Sequence, residues 1–182
     1  MRYRFLFLDR DGVINKKIEN DYVRTWQNFE FITGSLEAIR GLRGLFDRIF
    51  IVTNQRGVGK GVMTELHLKD IHDRMLRQIT ESAVNIDGIY SCVDIFEESS
   101  CRKPNTGMAL LAQRDFPEVD FSMSIVVGDS ITDMEFGKRL GMKTVFIGTK
   151  YRISNELIDI VEGSLFDFYL GLFNDRYKNL LY

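Results

Sequence analysis

The chain has 182 residues, of which 45% are hydrophobic and 27% charged, which is ordinary for one globular domain with a substantial core. Its formal net charge is −2, so a general positive field for nucleic acid or anionic membranes is not expected. No apolar run approaches the roughly 20 residues of a membrane span and no signal peptide is evident, which favours the cytoplasm.

The predicted elements alternate between strands and helices. Short apolar runs indicate strands over residues 5–8, 48–52, 86–93, 123–127 and 144–147. Capped amphipathic segments predict helices from residue 35 and over 64–82, 106–116 and 132–140. This order predicts right-handed crossovers, a mostly parallel sheet and an α/β fold with a core over residues 5–150.

The chain from residue 154 to 182 is predicted to be helical, over 156–161 and then about 165–181. It carries many aromatic side chains, for which we expect packing on the sheet or on a partner subunit: Phe166, Phe168, Tyr169, Phe173, Tyr177 and Tyr182. We expect the whole chain, 1–182, to form one domain. The two cysteines, Cys92 and Cys101, give no disulfide framework, and we expect two small buried apolar side chains.

Two acids follow the first predicted strand. Asp9 and Asp11 are one residue apart, and alternate residues of an extended chain point the same way. The carboxyl ends of strands are where open α/β sheets bind ligands. Two neighbouring half-buried carboxylates repel each other unless a cation or a shared proton relieves them. The sequence therefore predicts a metal site or an acid/base pair at this position.

Polar residues also follow the other predicted strands, and together they make four motifs. These are Asp9-Arg10-Asp11-Gly12, then Thr53, then Lys103, and finally Gly128-Asp129-Ser130-Ile131-Thr132-Asp133. In their order and character they resemble the four motifs of the haloacid dehalogenase-like (HAD) phosphohydrolases. The resemblance covers residues 5 to about 150 and implies a three-layer α/β/α Rossmann-like fold.

The resemblance implies a role for each motif residue. Asp9 would be the nucleophile, Asp11 the general acid and base, and Thr53 and Lys103 the holders of the phosphoryl oxygens. Mg²⁺ would be bound by Asp9, the backbone carbonyl of Asp11, and Asp129. Two further residues would support the site: Asp133, which would orient Lys103 or a metal-bound water, and Gly12, which would let the backbone turn closely against the phosphate.

The spacing indicates an enzyme without a cap domain, because the segments between the motifs are filled by single loops, helices and strands. Further matches, including Asp21-Tyr22-Val23 and Cys101-Arg102-Lys103-Pro104, resemble the branch of histidinol phosphatases and heptose-bisphosphate phosphatases. In the heptose enzymes a loop before Arg-Lys-Pro binds zinc through four ligands. Here the corresponding positions are Cys92, Asp94, Ser99 and Cys101, so two ligands are missing and no zinc is expected.

The same resemblance points to substrate contacts outside the motifs: Glu19, Asn20, Asp21, Tyr22, Asn54, Gln55, Arg56 and Arg102. Arg56 and Arg102 could bind a second phosphate, which favours a sugar bisphosphate such as heptose 1,7-bisphosphate. Histidinol phosphate is the main alternative substrate. A nucleic-acid 3′-phosphatase and a non-catalytic scaffold are less favoured, and a monomer or weak homodimer is expected. His67 and His72 would lie about 140° apart around one helix, which excludes a paired metal site.

Overall fold

A computed structural model describes residues 2–81, 84–148, 156–174 and 176–181. Six parallel strands form one sheet in the order β3-β2-β1-β4-β5-β6. The strands are β1 Phe5–Leu8, β2 Arg48–Asn54, β3 Gly88–Cys92, β4 Ser124–Gly128, β5 Lys143–Ile147 and β6 Ile160–Glu162. The predicted mostly parallel sheet is confirmed, and β1 and β4 lie at its centre.

Helices cover both faces of the sheet. They are α1 Ser35–Arg43, α2 Arg56–Gly59, α3 Glu65–Glu81, α4 Gly107–Asp115, α5 Ile131–Arg139 and α6 Leu165–Phe173. Side chains alternate along β1, so Leu6 and Leu8 pack with α1, α3 and α6, whereas Phe5 and Phe7 pack with α4 and α5. The two apolar clusters make the three layers of the predicted α/β/α fold.

The predicted helix over residues 156–161 is wrong. Ile160–Glu162 instead forms the edge strand β6, in which Ile160 pairs with Val145 of β5. Three residues carry too little periodicity to separate a strand from a helix, and backbone hydrogen bonds to β5 decide the outcome. The start predicted at residue 154, the helix end predicted at 82, and Tyr182 lie outside the described residues.

The last helix is shorter than predicted, because α6 ends at Phe173 and only a 3₁₀ turn, Lys178–Leu180, follows. The aromatic residues of this segment divide by exposure. Phe168 is fully buried, and Phe166, Tyr169 and Tyr177 pack partly against the cluster beneath α1. Phe173 is exposed, so it does not pack on the sheet, and packing on a partner subunit stays a prediction for it.

No second domain is inserted near the sheet edge in the described stretches 2–81 and 84–103. The chain between β1 and β2 forms a loop, a 3₁₀ turn and α1, and α2 and α3 connect β2 to β3. This agrees with the expected absence of a cap. None of the described helices is long and apolar enough to cross a membrane.

Candidate active site

The polar strand ends predicted from the sequence meet in one pocket at the carboxyl edge of the sheet. Asp9 follows β1, Thr53 and Asn54 end β2, and Asp129 follows β4. The pocket is lined by Asp9, Asp11, Lys17, Ile18, Asp21, Tyr22, Val23, Thr53, Asn54, Gln55, Lys103, Asp129, Ser130, Thr132 and Asp133. Four predicted substrate contacts are absent from this lining: Glu19, Asn20, Arg56 and Arg102.

Lys103 is the buried cation of the pocket. Its ammonium donates to an oxygen of Asp9 and to the carbonyl of Val52, both at 2.7 Å, and lies 2.6 Å from Asp133. Burial alone would lower the pKa of Lys103, but the carboxylates of Asp133 and Asp9 raise it above its ordinary value. Lys103 therefore stays charged and holds together Asp9, which follows β1, and Asp133, which lies in the first turn of α5.

The acids outnumber the cations around Asp9. Burial raises the pKa of Asp9 to about 7, and the carboxylates of Asp133, Asp11 and Asp129 add to this rise, while Lys103 opposes it. Burial also raises the pKa of Asp129, against the opposing charge of Lys17. The protein thus concentrates negative charge that its own cations only partly neutralise.

This acid cluster fits a divalent cation such as Mg²⁺. Carboxylate oxygens of Asp9, Asp129 and Asp133 all lie within 4.8 Å of one another, and Mg²⁺ prefers such oxygen ligands. The ammonium of Lys17 donates to Asp129 at 2.9 Å, so a positive group already lies against this face. At Gly12, where φ is +91°, an added Cβ would lie 2.2 Å from Asp129, and only glycine leaves room for this carboxylate.

Asp11 has a different environment from Asp9. Its oxygens accept hydrogen bonds from Arg10 at 2.9 and 3.0 Å, from Asn15 at 2.8 Å and from Gln55 at 2.8 Å. Burial would raise the pKa of Asp11, but the charge of Arg10 and these hydrogen bonds hold it below its ordinary value. The two acids of the first motif are therefore unequal, since one is surrounded by donors and the other by carboxylates.

The end of β2 fixes its neighbours through side-chain amides. Gln55 is buried and also donates to the hydroxyl of Thr53 at 2.9 Å. The amide of Asn54 donates to the carbonyl of Lys103 and accepts from its backbone N–H, at 3.1 and 3.0 Å. Both residues were predicted as substrate contacts, and their observed partners are protein groups of the site itself.

Asp133 connects α5 to the pocket. The hydroxyl and the backbone N–H of Ser130 donate to one of its oxygens, at 2.6 and 3.1 Å, at the start of the helix. The other oxygen forms the ion pair with Lys103. Asp133 is 1% exposed, so the first turn of α5 sets the position of the Lys103 ammonium.

The rim of the pocket is more exposed. Asp21 is held by Arg24 at 2.6 Å, and the ammonium of Lys60 lies 5.4 Å from the ring centre of Tyr22. Burial and the charge of Arg56 both lower the pKa of Arg102. The Nη1 atom of Arg102 and the Nε atom of Arg56 are buried, and neither has a hydrogen-bond partner among the described residues.

The expectation of two separate apolar cysteines is wrong, because Cys92 and Cys101 are joined in a disulfide. Cys92 ends β3, and the following loop turns back so that the two Cα atoms are 5.5 Å apart, within the range for a disulfide. Asp94 and Ser99 lie beside the sulfurs. The two cysteines are nine positions apart in the sequence, and nothing in the residues between them predicted that the loop turns back.

Three residues of the site were missed by sequence reasoning: Arg10, Asn15 and Lys17. Lys17 and Asn15 stand in the polar loop after β1, where the sequence offers no strand or helix to fix their direction. Arg10 was visible between Asp9 and Asp11, and alternation along the chain predicts that its side chain points away from theirs. That signal could have placed Arg10 beneath the site.

Comparisons with known proteins agree with this geometry. A family model described as HAD-hydrolase-like matches residues 100–156. The D-glycero-alpha-D-manno-heptose-1,7-bisphosphate 7-phosphatase of Mycobacterium bovis is 43% identical over 71% of this chain and 69% of its own length. The D-glycero-beta-D-manno-heptose-1,7-bisphosphate 7-phosphatase of Escherichia coli K12 is 38% identical over 71% of each chain.

A solved structure extends the likeness to the fold. The D,D-heptose 1,7-bisphosphate phosphatase of B. bronchiseptica, complexed with magnesium and phosphate, superposes with a TM-score of 0.84 at 26% identity. The match covers 94% of this chain and 99% of that one. With the identity to the curated relatives, these matches identify the chain as a member of the HAD-like phosphatase family, in the branch that contains the heptose-bisphosphate phosphatases.

Proposed function

We propose that this protein is a Mg²⁺-dependent phosphomonoesterase that acts on a sugar bisphosphate of the heptose 1,7-bisphosphate class. The observation that carries the proposal is the partly neutralised acid cluster around Asp9, which is held by the buried ammonium of Lys103. The names of the relatives support the sugar. They include both the alpha and the beta anomer, so the proposal covers the substrate class.

In the proposed reaction, Asp9 attacks the phosphorus atom and the bond to the leaving oxygen breaks. Asp11 acts in two steps. The negative charge of the bound phosphate favours the protonated form of Asp11, which gives its proton to the leaving alkoxide. The resulting carboxylate then takes a proton from the water that attacks the aspartyl-phosphate. Phosphate leaves, and the carboxylate of Asp9 is restored. The hydroxyl of Thr53 and the ammonium of Lys103 hold phosphoryl oxygens during both steps.

The metal would be held by Asp9, Asp129 and the backbone carbonyl of Asp11. When bound, Mg²⁺ supplies positive charge that lets an anionic nucleophile approach an anionic phosphate. Asp133 keeps the ammonium of Lys103 in place through their ion pair. When the metal binds Asp129, the ion pair between Lys17 and Asp129 would break, and the ammonium of Lys17 would then be able to contact the substrate.

The second phosphate would be bound by Arg56 and Arg102, which lie outside the lining of the pocket around Asp9. Arg102 lines a neighbouring cleft that shares Lys103 and Thr132 with that pocket. Each has a buried N–H group without a hydrogen-bond partner in the described part of the chain, and paired guanidinium groups favour an anion. Histidinol phosphate, the main alternative, carries an ammonium group in place of a second phosphate. The two arginines would repel that ammonium, which favours the bisphosphate.

The test compares phosphate release from heptose 1,7-bisphosphate, histidinol phosphate and 4-nitrophenyl phosphate by the wild type and by Arg102→Met. The variant should raise KM for the bisphosphate by roughly tenfold or more, because a charged hydrogen bond is lost. The KM for 4-nitrophenyl phosphate should be the same in the variant as in the wild type, because this substrate has no second phosphate. Arg114→Met is the matched control, since Arg114 is an exposed arginine outside the pocket.

Two results would contradict the proposal. The substrate assignment fails if histidinol phosphate has the higher kcat/KM, or if Arg102→Met weakens all three substrates equally. The reaction itself fails if the wild type with Mg²⁺ releases no phosphate from any of them.

We further propose that the enzyme is cytoplasmic and is a monomer or weak homodimer. We propose neither nucleic acid nor membrane as a partner, because the small net charge gives no general attraction to them.

A further inference from the structure

Arg10 is the largest fully buried side chain of the described residues, and the proposed reaction does not use it directly. It lies between the two acids in the sequence but extends beneath the pocket. One end of its guanidinium group donates to both oxygens of Asp11, at 2.9 and 3.0 Å. Its Nε atom is buried and has no hydrogen-bond partner in the described chain, so only the two ends of the group are held.

His72 holds the other end. Its Nε2 lies 3.2 Å from the Nη1 of Arg10, although the two residues are 62 positions apart in the sequence. A guanidinium group can only donate, so Nε2 must accept, and the ring proton must be on Nδ1. His72 is therefore neutral in this contact and belongs to α3, which packs against the sheet through its own apolar stripe.

The carboxylate of Asp11 is aimed by this arrangement. Gln55 and Asn15 each bind one of its oxygens, whereas Arg10 binds both and thereby sets the plane of the group. A planar guanidinium fixed at both ends restricts the rotation of a bound carboxylate more than a single donor does. Without His72, Arg10 would keep its charge but lose the contact that fixes its own plane.

We propose that Arg10, braced by His72, is a positioning residue that aims Asp11 for its two proton transfers. This inference rests on the proposed function, in which Asp11 protonates the leaving alkoxide and later deprotonates water. Neither Arg10 nor His72 touches the phosphate in this proposal. Both act through the direction of the Asp11 carboxylate, with α3 as the rigid support.

The two half-reactions depend on Asp11 to different extents, and this difference supplies a test. With 4-nitrophenyl phosphate, attack by Asp9 expels 4-nitrophenolate, which keeps the electron pair and needs no proton. With an alkyl phosphate, the alkoxide must receive the proton of Asp11 as the P–O bond breaks. In both cases water must lose a proton to Asp11 when the aspartyl-phosphate is hydrolysed.

The test uses His72→Leu and His72→Gln, because removal of the fully buried Arg10 itself could prevent folding. Glutamine keeps an acceptor for Arg10, whereas leucine does not. His67→Leu is the matched control, since His67 is the other histidine of α3, is exposed, and hydrogen-bonds to Thr64 and not to Arg10. The substrates are 4-nitrophenyl phosphate and the alkyl phosphate that the wild type hydrolyses best.

For His72→Leu we expect kcat with 4-nitrophenyl phosphate to fall by roughly tenfold. The value of kcat/KM should be unchanged, and a burst of one 4-nitrophenol per active site should appear. With the alkyl phosphate, kcat/KM itself should fall by a similar factor. His72→Gln should recover most of both losses, and His67→Leu should match the wild type.

Other outcomes would overturn the inference. Unchanged kinetics of His72→Leu with both substrates would show that Arg10 needs no brace. An equal loss of kcat/KM for both substrates, with no burst, would indicate damaged folding and no positioning role. If the wild type is inactive, or if Asp9→Asn keeps turnover, the proposed function fails first, so the two failures are distinguishable.

Discussion

Two clusters of charged side chains, one around Asp9 and one around Asp159, lie on opposite edges of the sheet, and they shift the pKa of their central aspartate in opposite directions. At the carboxyl edge, burial and neighbouring carboxylates raise the pKa of Asp9 to about 7. At the amino edge, Asp159 binds Lys138, Lys143 and Thr144 at 2.7–3.1 Å. Although burial would raise it, these partners lower the pKa of Asp159 to about 2.

The difference separates a structural acid from a candidate functional one. Asp159 is saturated with donors, ties β5 to the chain before β6, and gains nothing from a further cation. Asp9 has one ammonium and three competing carboxylates, so the protein alone leaves it poorly stabilised. Titratable groups in a cleft with strongly shifted pKa values often mark functional sites. If the two clusters differ in this way, substitutions in them should have different effects.

The largest expected effect is on turnover. Asp9→Asn should lower kcat by at least ~10³-fold, because the amide cannot act as the nucleophile. The same change at the other cluster, Asp159→Asn, should leave kcat within about twofold, since Asp159 is on the opposite edge of the sheet. Both are measured by Mg²⁺-dependent phosphate release. Turnover that survives in Asp9→Asn would remove Asp9 from the mechanism.

The next effect is on metal-dependent stability. Mg²⁺ at about a hundredfold excess over its Kd should raise the free energy of unfolding of the wild type by about 2–3 kcal/mol. Asp129→Asn should lose most of this gain, and Asp159→Asn should keep it, because only the first removes a proposed ligand. Urea unfolding with Mg²⁺ and with a chelator measures both. An equal gain in the two variants would place the metal elsewhere.

The comparison also explains what the sequence could predict. The acids of the carboxyl edge, Asp9, Asp11 and Asp129, each follow a buried apolar run, so alternation and parallel strand order bring them together. The brace behind Asp11 depends on contacts with Gln55 and His72, which are 44 or more positions away in the sequence. No local pattern encodes such contacts.

The other cluster was missed altogether. Asp159 precedes β6, a three-residue strand that the sequence pattern predicted as a helix. Its partners come from α5 and β5 and become visible only when β6 is paired with β5. The disulfide between Cys92 and Cys101 was also missed. An irregular loop brings the two cysteines together, and the sequence does not predict its path.

A smaller effect is expected from Asp159→Asn on stability. The variant should lower the free energy of unfolding at pH 7 by about 1 kcal/mol, because a well-bonded carboxylate loses its charge and solvent screening reduces the effect. Thermal or urea unfolding measures the change, with Asp73→Asn as the control, since Asp73 forms an exposed pair with Lys69. A change as small as that of the control would mean that the amino-edge cluster contributes little.

The last test concerns the sign of an effect, which is the pH dependence of stability measured in chelator. The folded pKa of Asp9 is raised from 3.8 to about 7, so its contribution is intact below pH 3.8 and is lost as pH rises to 7. The stability of Asp9→Asn relative to the wild type should therefore increase over this range. The folded pKa of Asp159 is lowered from 3.8 to about 2, so its contribution is present above pH 3.8 and is lost as pH falls towards 2. The deficit of Asp159→Asn should accordingly shrink as pH falls below 4, as measured by urea unfolding of both variants. Parallel curves for the two variants would show that the clusters are electrostatically alike.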